Sequence, residues 1–135
     1  MLVNPSIEGE SAAIDELMKG VVEELTAAIV RSTHPLAVVL FGSRARGDHR
    51  LTSDIDLLIV VPDGVARRDV YRSLAAHRVM GATGVPVDLV IATPSGLTSA
   101  WGNEWSVLHW TQEQGVALYE SKDYHFHAPS LMEAQ

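Results

Sequence analysis

The sequence predicts an α/β fold in which one short sheet is packed by helices. Three observations carry this expectation. Segments with helical apolar spacing alternate with short apolar runs of strand length; those runs stop at glycine, proline or aspartate turn signals; and 135 residues, 47% of them hydrophobic, suffice for one modest core. The chain 1–135 is therefore expected to form a single domain, with residues 125–135 as a frayed tail. Nothing local fixes the order or direction of the strands.

Residues 11–31 set Ile14, Leu17, Met18, Val21, Val22, Leu25, Ala28 and Ile29 at helical spacing, with acids early and Arg31 late, as the helix dipole favours. After His34-Pro35, residues 36–41 form an apolar run ending at Gly42, which reads as a buried strand followed by a turn and a short helix. Residues 54–61 begin with alternating acidic and apolar positions and become wholly apolar before the Pro62-Asp63-Gly64 turn, the pattern of a central strand. Over residues 66–80, Val70, Leu74, Ala75, Val79 and Met80 make an apolar helical stripe, while Arg67, Arg68, Arg72 and Arg78 read as a solvated face open to an acidic partner. Residues 85–91 form a β-branched run carrying Asp88, residues 97–114 read as helix around the tryptophans, and residues 115–119 read as a last short strand.

Composition excludes several classes of function. With no cysteine, the chain has neither a disulfide framework nor a thiolate metal site, and a reducing cytoplasm suits it. Glu8, Glu10, Asp15 and Glu16 are unlike a secretory leader, and apolar runs such as 57–61 are too short to span a bilayer. A net charge of -7 disfavours direct binding of nucleic acid phosphates, and otherwise suits solubility or a basic partner.

Chemistry concentrates in residues 42–58. Asp54 and Asp56 are two apart, so on a strand both side chains project from one face. Two adjacent carboxylates in an apolar strand need compensation, by arginine or by a cation, and hard oxygen ligands favour Mg2+ or Mn2+. Asp88 on the next strand supplies a third carboxylate, either as a general base or as a further ligand. Gly42-Ser43 stands where a strand meets a helix, so its backbone N–H groups suit a triphosphate tail, and the Ser43 hydroxyl can donate to phosphate or cap the helix. Arg44 and Arg46 either touch phosphate or stabilise the loop by pairing with Asp48. A P-loop is excluded because Asp48-His49 stands where that motif needs Lys then Ser or Thr, and no Gly-x-Gly-x-x-Gly follows a strand.

Gly42-Ser43, ten intervening residues and then Asp54-x-Asp56, within Ser53-Asp54-Ile55-Asp56-Leu57-Leu58, resembles the signature of the DNA polymerase β-type nucleotidyltransferase superfamily, and most of all its minimal nucleotidyltransferase branch. The resemblance covers roughly residues 20–120 and is strongest over 36–61. It implies a short mixed sheet packed by helices, Gly42 and Ser43 holding the triphosphate, and Asp54 and Asp56, with Asp88 completing the carboxylate set, holding two Mg2+ ions. It further implies transfer of AMP from ATP to a tyrosine hydroxyl of a cognate HEPN-domain ribonuclease toxin, the chain acting as antitoxin. Two other functions stay open: neutralisation of the partner by binding alone, and transfer to a small molecule such as an aminoglycoside. Larger relatives carry extra domains that present the acceptor; this chain has no room for one.

Trp101, Trp105 and Trp110 suit either core or interface, with core the expectation. His125-Phe126-His127 offers two imidazoles but lies in the expected tail.

Overall fold

The computed structural model describes residues 5–49, 53–79, 81 and 84–126, with side chains from residue 15 onward. Arg50, Leu51, Thr52, Met80 and His127 to Gln135 therefore lie outside the described residues, as do the side chains of Glu8, Glu10 and Ile14.

The elements run α1 (Pro5–Thr33), β1 (Ala37–Phe41), α2 (Gly42–Arg46), β2 (Ile55–Val60), α3 (Arg67–Ala76), β3 (Val87–Ala92), α4 (Pro94–Ala100), α5 (Val107–Gln114) and β4 (Val116–Glu120). One mixed sheet has the order β3-β2-β1-β4, with β1 antiparallel to both β2 and β4 and β2 parallel to β3.

The alternation of side chains on β2 divides the core into two halves. Ile55, Leu57, Ile59 and Val61 join Leu25 and Ile29 of α1 and Val70 and Leu74 of α3 on one face. Leu58 and Val60 join Val39, Ala92 and Leu97 on the other, with Leu108 of α5, Tyr124 and Phe126 packed alongside. Burial on both faces explains why residues 57–61 form an unbroken apolar run. At its start the same parity places Asp56 on the α4–α5 face, beyond the point where apolar residues continue.

Several sequence expectations need correction. The helix expected over 97–114 is two helices. Thr93 caps α4 by accepting from Gly96 N at 3.2 Å, Gly102 turns the chain at φ 88°, and Ser106 caps α5 by accepting from Leu108 N at 3.2 Å. Trp105 and Trp110 are not core, at 98% and 37% exposed, and Trp101 is half-buried. The buried face of α5 is polar instead. Gln112 donates to the Leu97 carbonyl at 2.7 Å, and the His109 ring accepts from Gly102 N at 3.1 Å. The apolar stripe of α1 packs from Val21 onward, whereas Leu17 is 65% exposed. At the last described residues the Glu120 carboxylate accepts from Phe126 N at 2.5 Å and pairs with His125 at 3.1 Å. Arg67, Arg68, Arg72 and Arg78 are exposed, as the pattern of α3 indicates.

Candidate active site

Register brings the candidate carboxylates together at one end of the sheet. Asp56, the second residue of β2, stands opposite Phe41 at the end of β1 and beside Asp88 in the parallel β3. Asp54, exposed just before β2, lies two residues upstream of Asp56. The Asp88 side chain lies close enough to Asp56 to act on its carboxyl.

Burial is the main reason that the Asp56 carboxyl is pushed above its ordinary value of 3.8; the charges of Asp88 and Asp54 push the same way, and only Arg46 opposes them. A divalent cation would offset these charges: the donors are carboxylate oxygens, partly open to solvent, of the type a hard ion takes, and Arg46 is close enough to act on Asp56. Among the described residues no three such groups converge tightly enough to enclose an ion.

Gly42 is built into this arrangement. Its φ is 75°, in the left-handed region, and a Cβ placed there collides with Asp56 Oδ2, lying 3.1 Å from Cγ and 3.3 Å from Cβ. Only glycine lets the chain turn from β1 into α2 while leaving the carboxylate where it stands. The sequence shows a Gly-Ser; the structure shows that the glycine accommodates Asp56.

The loop beyond is fastened by its own side chains. The Ser43 carbonyl accepts from Gly47 N at 2.9 Å and Asp48 N at 3.1 Å, closing α2 with Gly47 at φ 83°. Arg44 donates through Nε and Nη2 to the Ser53 carbonyl at 3.2 and 2.9 Å, tying α2 to the residue before Asp54. Arg46 pairs with Asp48 at 3.3 Å and reaches Gln114 of α5 at 3.5 Å. Arg46 thus makes the expected pair with Asp48, whereas Arg44 holds the Ser53 carbonyl instead. His49 meets Asp15 of α1 at 3.4 Å. Sequence reasoning missed the parts of Ser53, Gln114 and Asp15, since contacts across 9, 68 and 34 residues leave no local signal.

The site is thus a set of carboxylates at the ends of adjacent strands of a small mixed sheet, with a glycine turn against one of them. The chain belongs to the nucleotidyltransferase domain family, whose model matches residues 23–108. Among solved structures, a presumptive nucleotidyltransferase from Sulfolobus solfataricus shares the fold, with a TM-score of 0.53 at 22% identity over 90% of this chain and 93% of that one. A toxin–antitoxin structure with AMP-PNP matches with a TM-score of 0.50 at 26% identity over 74% of each chain. No curated protein sequence matches significantly. Among the described residues, no helix is long and apolar enough to cross a membrane.

Proposed function

We propose that the chain transfers AMP from ATP to a tyrosine hydroxyl of a cognate HEPN-domain toxin and so acts as its antitoxin. The observation that carries the transfer is the register of Asp56 beside Asp88 with Gly42 seated on Asp56. Family membership and the likeness to a toxin–antitoxin structure with AMP-PNP support a nucleotide donor and a protein acceptor. The HEPN identity of the partner and its tyrosine rest on the motif resemblance.

On this reading Asp54, Asp56 and Asp88 would hold two Mg2+ ions, with Mn2+ able to substitute, and the ions would supply Lewis-acid stabilisation of the charge that develops on the phosphate. The residues of the chain do the rest. Gly42 and Ser43 receive the β- and γ-phosphates, and Arg46 offsets their charge at the mouth of the loop. Arg44 fixes the chain before Asp54. Asp88 takes the proton of the attacking hydroxyl as its oxygen bonds to the α-phosphorus, and the bond to the bridging oxygen breaks to release pyrophosphate.

Mass spectrometry of the cognate toxin after incubation with the protein, ATP and Mg2+ tests this. The expected result is a mass increment of one or more AMP groups on a tyrosine, absent with Asp56→Ala. A toxin that is bound and silenced without any increment, whichever nucleoside triphosphate is supplied, supports neutralisation by binding instead.

A further inference from the structure

β3 is an edge strand, and its backbone geometry shows which groups it leaves open. Ile55 N donates to the Pro86 carbonyl at 3.0 Å and Val61 N to the Ala92 carbonyl at 2.9 Å. Even-numbered residues therefore turn their polar backbone toward β2, and Val87, Leu89 and Ile91 turn theirs outward. Among the described residues no strand pairs with that side.

Beside this edge runs an apolar groove of about 760 Å³ lined by Tyr71, Leu74 and Ala75 of α3 with Val87 and Leu89 of β3, and Arg78 lies at its rim. Tyr71 is 48% exposed. The surroundings are basic in an acidic chain: residues 66–79 carry four of the ten lysines and arginines against the single acid Asp69, while the chain bears -7. The pairing of Asp69 with Arg72, at 3.9 Å between two largely exposed side chains, neutralises little of this.

We propose that the open edge of β3 and this groove dock an extended, acidic segment of the acceptor protein; the proposal rests on the reading of that acceptor as a protein. An unpaired strand edge recognises extended backbone, which adds as a fifth strand. Alternate apolar side chains of the added strand enter the groove, and acidic ones meet Arg72 and Arg78. The remaining side chains fall on the opposite face of the sheet, the face from which Asp88 projects. A hydroxyl-bearing residue of the same segment is thereby carried toward the carboxylates, so the strand that carries the candidate base also aligns the acceptor.

The test uses the full chain, 15N-labelled, and two eight-residue peptides, a Glu-Val peptide of two Val-Ser-Glu-Ser repeats and a Lys-Val peptide of two Val-Ser-Lys-Ser repeats, so that Val and the charged residue share the face toward α3. The Glu-Val peptide is expected to shift and protect the amides of Val87, Leu89 and Ile91, and to bind at least tenfold more tightly than the Lys-Val peptide. Arg72→Glu/Arg78→Glu is expected to reverse that preference, and Tyr71→Ser, at an exposed position, to weaken binding several-fold. Absence of shifts on β3 at millimolar peptide, or equal binding by wild type and the reversed-charge variant, overturns the proposal. So does a dimer in sedimentation that buries β3 against a second copy. Mg2+ and ATP are titrated in parallel: shifts at Gly42 and Asp56 without peptide shifts overturn the docking alone, and peptide shifts without nucleotide shifts overturn the transferase reading alone.

Discussion

Replacing Gly42 with alanine tests the join between the glycine turn and the carboxylates. The backbone there has φ 75°, and the new methyl group collides with Asp56 Oδ2 while lying 3.1 Å from Cγ. The left-handed conformation costs an L-residue about 1–2 kcal/mol, and displacing a packed side chain adds about 1 kcal/mol or more. For a chain of this size the total of about 2–3 kcal/mol corresponds to a Tm lowered by roughly 6–12 °C. The assay is a double-mutant cycle by thermal or urea unfolding with Asp56→Ala, which removes the carboxyl group that the methyl meets. In that background Gly42→Ala is expected to cost only the backbone term, leaving a coupling of about 1 kcal/mol. Equal costs in both backgrounds would refute the claim that the glycine exists to accommodate Asp56. On the proposed function Gly42→Ala also lowers nucleotidyl transfer about 100-fold or more, because the carboxylate is pushed off its position.

Asp56→Asn is expected to stabilise the protein at neutral pH. Burial first, then Asp88 and Asp54, raise the folded carboxyl above 3.8, so the native state holds its proton more tightly than the unfolded chain, and stability is lost as pH rises through that window. The gain, about 0.5–1 kcal/mol after solvent screening, should be present in melts at pH 7 and vanish below about pH 4. Arg44→Lys cannot reproduce the two-pronged donation to the Ser53 carbonyl and should lower transfer nearly as much as Arg44→Ala, with ATP binding measured by titration changed less than turnover. Trp105→Ala should shift unfolding by no more than about 0.5 kcal/mol, since the side chain is 98% exposed. Millimolar Mg2+ should raise the Tm of wild type, by about 2.7 kcal/mol of stability at one hundred times its Kd, and leave Asp54→Ala/Asp56→Ala unchanged.

The parts of the fold legible in sequence are those whose signal is local. Residues 57–61 are apolar because β2 is covered on both faces, and Asp54 and Asp56 interrupt that run where the cover ends. Asp88 was readable as a strand acid, but its place beside Asp56 depends on the parallel pairing of β2 with β3, a long-range choice. The order β3-β2-β1-β4 is likewise invisible locally. The last third misled because its buried positions are polar: His109, Thr111 and Gln112 are covered and hydrogen-bonded, while Trp105 stands in solvent. Signals for the break were present in Gly102-Asn103 and Ser106.

At the candidate site the motif named the side chains, and the structure supplied their fastening. Gly42 is shaped to Asp56, Arg44 to the carbonyl before Asp54, and Arg46 to Asp48 and Gln114. The contacts of Arg44 with Ser53 and of Arg46 with Gln114 depend on the fold and leave no local signal.

The central claim, nucleotidyl transfer by the strand-end carboxylates, is tested most directly by following label from α-labelled ATP with Mg2+ to the co-expressed partner. The comparison is between wild type and Asp54→Ala/Asp56→Ala, both confirmed folded. Label on the partner with wild type and none with the double variant is the expected result. Label that persists in the double variant contradicts the assignment of the site, and a partner left unlabelled by wild type with every nucleoside triphosphate, yet bound and neutralised, contradicts the transfer itself.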